Sequence, residues 1–234
     1  MATFVLVHGA FEAGWYWRPL AKLLRAAGHD VFTPSLTGLG ERKHLMSPTV
    51  DLETHIADVL GVMKAEELED IVLVGHSYGG MVIAGAADRA DGRVGTLVYL
   101  DAFVPKDGES VFDIVLPERR TALESAAREH GDGWRIPPPP ASDWGVTDPA
   151  LQNWLDSLSA AHPLATMTQS IRLTGTRVAR RHYVVAAQYD PSPFQRYAAE
   201  FDSAPGWTVH SIDEGHMLPV TAPDEVCQIL VKAN

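Results

Sequence analysis

The chain has one cysteine among 234 residues, Cys227. A single thiol excludes disulfides within the chain and a thiolate metal cage. It stands beside Val226, Ile229 and Leu230, where it reads as a packed rather than a reactive group. Long apolar runs are also missing: none approaches the roughly 20 residues that a membrane-spanning helix needs. The first apolar run starts at Thr3 with no basic leader before it, so the expectation is a soluble, cytoplasmic protein without a membrane partner. Basic residues are in deficit, 19 Lys and Arg against 30 Asp and Glu, for a formal charge of −11. That balance argues against nucleic acid as a partner and serves solubility. No internal repeat is visible, and low complexity is confined to the prolines at 137–140.

What is present is a strand and helix rhythm with one interruption. Short apolar runs at residues 4–7, 30–33, 71–74, 94–100, 183–187 and 207–212 read as strands. Amphipathic stretches around 15–24, 51–64 and 81–90 alternate with them, and a helix from about Pro223 closes the chain. Strand alternating with helix implies right-handed crossovers, hence an α/β fold with a mostly parallel sheet of about six strands and helices on both faces. A length of 234 residues with 46% apolar content suits one such domain. Between 106 and 181 the rhythm breaks: no strand is obvious, helical patches stand at 121–129 and 149–158, and Trp134, Trp144 and Trp154 accompany the prolines. The expected organisation is a core of residues 1–105 and 182–234 with a helical cap inserted at 106–181.

The residues around which this chain is organised are Gly75, His76, Ser77, Tyr78, Gly79 and Gly80. A serine between a β-branched run and a helix, with glycines two before and two after it, has the G-x-S-x-G form of a nucleophile elbow. The turn is so tight that a Cβ at Gly75 or Gly79 should collide with neighbouring elements. Ser77 is thereby presented at a strand tip and a helix N-terminus, where developing negative charge is favoured.

A serine hydroxyl needs a base, and imidazole titrates near neutrality. Of the ten histidines, His216 follows the last strand in a Gly-His turn and stands after the serine in chain order, as hydrolases of this kind require. His76 should diverge from its neighbour, His8 reads as an organiser of loop hydrogen bonds, and His210 lies within a strand. Two aspartates compete to orient His216: Asp190 after the penultimate strand, which is preferred, and Asp101 after the strand next to the elbow strand. The oxyanion donors are expected to be the backbone N–H groups of Tyr78 and of Ala10, in the loop after the first strand. No cofactor or metal is called for. The G-x-G at Gly38 and Gly40 lacks the third glycine and following helix of a phosphate site.

With these residues in place, the chain resembles the α/β-hydrolase superfamily over nearly its whole length. More narrowly, the stretch from Val5 to Ala10 with Gly14, Trp15, Tyr16 and Trp17 is similar to the plant methylesterase and hydroxynitrile lyase group and its bacterial esterase relatives. Leu100-Asp101-Ala102-Phe103-Val104-Pro105 and Gly215-His216-Met217 are similar to the bacterial branch. The lyases of the group carry threonine at the position of Gly9 and lysine at that of Met217, so the resemblance implies ester hydrolysis here. The plant members place their acid shortly after the penultimate strand, whereas Asp190 is slightly displaced and followed by Pro191 and Pro193, which keeps Asp101 in contention.

The implied enzyme is a cofactor-free carboxylesterase working through an acyl-enzyme. Its substrate is expected to be a small ester with an apolar or aromatic acyl part, held in a small pocket that the cap tryptophans close. Carbamate, amide or lactone hydrolysis by the same residues, hydroxynitrile cleavage, and a receptor that binds a small ligand without turning it over are the alternatives. A homodimer is compatible with the sequence, which does not set the oligomeric state.

Overall fold

The computed structural model describes all residues except 176, 177 and 191. Six parallel strands form the sheet: β1 (Thr3–Val7), β2 (Asp30–Phe32), β3 (Ile71–His76), β4 (Val94–Leu100), β7 (Arg180–Ala186) and β8 (Trp207–Ile212). Their order is β2-β1-β3-β4-β7-β8, which places β3 centrally between β1 and β4. Because side chains alternate along a strand, each strand feeds two cores. Val5, Val7, Leu73, Tyr99, Tyr183 and Val185 face one side, and Phe4, Leu6, Val72, Val74, Val98 and Val184 face the other. The first core is completed by α2 (Leu52–Ala65), α3 (Gly79–Arg89) and α8 (Gln195–Phe201), the second by α1 (Arg18–Ala26) and α10 (Pro223–Ala233). Burial on both faces explains why the strands read as continuous apolar runs rather than alternating ones.

Among the described residues the segment between β4 and β7 holds four α-helices, α4 (Val111–Ile114), α5 (Pro117–His130), α6 (Pro149–Leu158) and α7 (Ala165–Thr168), and a 3-10 turn at Ala141–Trp144. Contrary to the expectation of a strand-free cap over 106–181, β5 (Arg135–Ile136) and β6 (His162–Pro163) form a short antiparallel pair, and β7 begins before residue 182. Two-residue ladders have too little pattern to be read in a sequence. The last short helix, α9 (Leu218–Thr221), precedes α10. Among the described residues no helix is long and apolar enough to cross a membrane.

The elbow between β3 and α3 is as crowded as its glycines suggest. A Cβ at Gly75 would lie 2.7 Å from the Gly79 oxygen, and one at Gly79 would lie 2.5 Å from the Val7 oxygen. Both obstacles are backbone, which cannot swing aside. Gly75→Ala is therefore expected to cost about 2–3 kcal/mol, lowering Tm by roughly 5–10 °C in a thermal melt.

Candidate active site

Ser77 has φ of +52°, a left-handed conformation unusual for a residue with a Cβ. The strain is held by hydrogen bonds to the end of β4: Ser77 N–H donates to the Leu100 oxygen (3.3 Å), and Phe103 N–H donates to the Ser77 oxygen (3.1 Å). Its side chain is partly exposed and lines a cavity of about 930 Å³.

His216 lines the same cavity and is 2% exposed. Its Nδ1 lies 2.6 Å from Asp101 Oδ2, and the other Asp101 oxygen accepts the Ala186 N–H at 3.1 Å. The imidazole partner is thus Asp101, not the preferred Asp190, which is exposed on the cavity wall. The reason lies in strand order. β4 is hydrogen-bonded to β3 on one side and β7 on the other, so a residue just past its end stands beneath the imidazole. The turn after β7 instead presents Tyr189, whose ring stacks on His216 at 4.7 Å. Phe194, at 5.3 Å with its ring nearly parallel, and His76, at 4.6 Å, add to a box of rings that fixes the imidazole plane.

Burial moves the two partners in opposite directions. It pushes the Asp101 carboxyl up, against the Ala186 N–H, and it pulls the His216 imidazole well below its usual range, helped by His76 and Arg119 and opposed by Glu12. The imidazole is therefore neutral at rest, with Nδ1–H donated to Asp101 and Nε2 left to accept a proton.

Two backbone N–H groups complete the geometry. Among the described residues, neither the Ala10 nor the Tyr78 amide donates to a protein acceptor, and both residues line the cavity beside Ser77. The three other histidines named from the sequence have other partners. His8 Nδ1–H donates to the Gly9 oxygen and its Nε2 accepts from Leu36, a neutral arrangement with the pKa lowered by burial to about 3. His76 lies under the site with Nε2 2.9 Å from the His216 oxygen, and His210 pairs with His182.

A family model described as alpha/beta hydrolase family matches residues 4–229. The chain belongs to this family. Proteins similar to it over nearly their full length include the carbendazim hydrolyzing esterase of Nocardioides sp. strain SG-4G, 44% identical with 98% of each chain covered. A solved extracellular alpha/beta-hydrolase from a Paenibacillus species superposes with a TM-score of 0.88 at 26% identity, covering 100% of this chain and 99% of that one. The alpha-hydroxynitrile lyase of Arabidopsis thaliana is 36% identical over 103 residues, 44% of this chain and 40% of its own.

At Gly9, where the resemblance would place a threonine in a lyase, a side chain would be crowded: a Cβ would lie 2.7 Å from Glu12 Oε2 and 3.0 Å from the Ser77 Cβ. Met217, at the lysine position, is buried with its sulfur 3.8 Å from the Tyr16 hydroxyl. The cavity is larger and differently walled than the sequence suggests. Only Trp144 of the three tryptophans lines it. Trp154 packs edge-on against Trp15, and Trp134 carries the Arg135 guanidinium. The apolar wall comes instead from Phe11, Phe103, Val111, Leu123, Met167 and Phe194, with exposed Glu118, Asp143, Gln188 and Asp190 around it. Sequence reasoning also passed over Glu12, a buried carboxylate that accepts the Gly9 N–H at 2.8 Å. An acidic residue five positions after the end of the strand that precedes the oxyanion loop was the available signal. Among the described residues no cluster of His, Cys, Asp and Glu side chains is arranged to hold a metal ion.

Proposed function

We propose that this enzyme is a serine carboxylesterase that acts on esters with an apolar or aromatic acyl part through Ser77, His216 and Asp101. Carboxylic-ester hydrolysis agrees with the family and with the full-length likeness to an esterase. One observation carries the residue assignment: a strained serine, a neutral imidazole bonded to a buried carboxylate, and two unpartnered amides all converge on one cavity.

In the proposed cycle Ser77 Oγ attacks the ester carbonyl while His216 Nε2 takes its proton. Asp101 holds the tautomer and stabilises the imidazolium that forms. The Ala10 and Tyr78 amides receive the oxyanion, and they do so without loss of side-chain freedom. His216 then protonates the departing alcohol, and water cleaves the acyl-enzyme by the same steps in reverse roles. The segment between β4 and β7 acts as the cap, since α4, α5 and the Trp144 loop wall the cavity.

A cavity near the upper end of the usual ligand range, roughly 300–1,000 Å³, accommodates acyl groups well beyond acetyl. Against p-nitrophenyl esters, kcat/KM should rise from acetate to hexanoate and benzoate. Leu123→Trp, which fills the apolar wall, should lower kcat/KM for benzoate at least about 10-fold and affect acetate less. Carbendazim, the compound in the name of the 44% identical relative, belongs in the same panel. A flat response to acyl size would remove the substrate-class reading and leave the esterase reading intact.

A further inference from the structure

Three consecutive amides in the loop after β1 have three different fates. Gly9 N–H donates to Glu12 Oε2 at 2.8 Å. Phe11 N–H points to His162 Nδ1 at 3.4 Å. Between them the Ala10 N–H has no protein acceptor among the described residues. Phe11 is held at φ of +72°, a conformation a phenylalanine does not adopt unaided.

From this pattern we propose that Glu12 and His162 are positioning residues which clamp the amides on either side of Ala10 and thereby aim its N–H at the oxyanion. Both clamps are buried, so neither is loosened by water. The Glu12 carboxylate is itself confined between the Gly9 amide and His76 Nδ1, 3.6 Å away. His162 comes from β6 in the inserted segment, and its acceptor nitrogen is set by its neighbour. Thr166 Oγ1 gives its only hydrogen to the Pro163 oxygen, so it accepts from His162 Nε2–H, which leaves Nδ1 as the lone-pair side. A second tie from the insertion, Ala160 N–H to the Phe11 oxygen at 2.9 Å, completes the grip. The inserted segment thus shapes the oxyanion site as well as walling the cavity. An amide that is preorganised in this way contributes chiefly in the transition state, because its hydrogen bond strengthens as the carbonyl oxygen takes on negative charge.

The proposal rests on the serine-esterase reading, and the test separates the two. Turnover of p-nitrophenyl butyrate and inhibition by phenylboronic acid, which mimics the tetrahedral adduct, are measured for Ser77→Ala, Glu12→Leu, Glu12→Gln, His162→Phe and His162→Asn. Glu12→Leu and His162→Phe should each lower kcat by roughly 10^2 with KM within about 3-fold, and weaken phenylboronic acid in parallel. The double variant should lose little more than either single one, because both act on one N–H. Glu12→Gln and His162→Asn keep an acceptor at the clamp and should retain kcat within about 5-fold. Wild-type kcat in Glu12→Leu and His162→Phe, or a loss confined to KM, would overturn the clamp. Failure of both acceptor-keeping variants to rescue would also overturn it, pointing to charge rather than geometry. Should Glu12→Leu not fold, His162→Phe, closer in shape to the residue it replaces, decides with the same readouts. Wild-type turnover by Ser77→Ala would sink the esterase reading itself, whereas a dead Ser77→Ala beside fully active clamp variants would sink only the clamp.

Discussion

Ser77→Ala is expected to leave at most about 10^-4 of wild-type kcat on p-nitrophenyl butyrate, with an unchanged circular dichroism spectrum. The size follows from the proposed chemistry: without Oγ there is no acyl-enzyme, and what survives is the catalysis that the oxyanion amides and the cavity can offer to water. The fold should not suffer. Ser77 is anchored through its backbone, to Leu100 and Phe103, and both bonds survive the substitution. Alanine at φ of +52° keeps the same local strain. Residual activity near the wild-type level would mean that the elbow is a structural turn and that the cavity binds without turning over.

The second large effect discriminates between the two aspartates. Asp101→Asn should reduce kcat by about 10^4, while Asp190→Asn stays within about 3-fold of wild type. Asparagine at 101 can present its NH2 to His216 Nδ1, which then becomes an acceptor and moves the hydrogen to Nε2, the atom that must receive the Ser77 proton. Asp190 is exposed and makes no bond to the imidazole, so neutralising it changes only the field at the cavity wall. Collapse of Asp190→Asn with an active Asp101→Asn would reverse the assignment. Side-by-side kcat and KM measurements on the two variants decide it.

The elements were legible because both their period and their punctuation are local. The strand at 94–100, the strand at 207–212 and the helix at 149–158 coincide in the sequence reading and in the structure, since apolar runs and flanking Gly, Pro and Asp mark them within a few residues. The elbow was legible for the same reason, as glycine is the only residue that fits the backbone contacts at 75 and 79. The pairing of β5 with β6, the tryptophans that turn away from the cavity and the approach of His162 to Phe11 were not, because each depends on which segments meet across long sequence distances.

By itself, then, the sequence determined the α/β class, a serine at a strand-to-helix elbow, a histidine after the last strand, and the two amides that flank the cavity. Each of these is set by neighbours within a few positions along the chain. Tertiary structure decided which carboxylate meets His216, because that depends on β4 lying between β3 and β7, a matter of strand order and not of spacing. It also decided the size and walls of the cavity and the burial of Glu12 and His162 on either side of Ala10. Those features arise only when residues 3–12, 101–103 and 111–167 are packed against one another, and no local pattern encodes such a meeting.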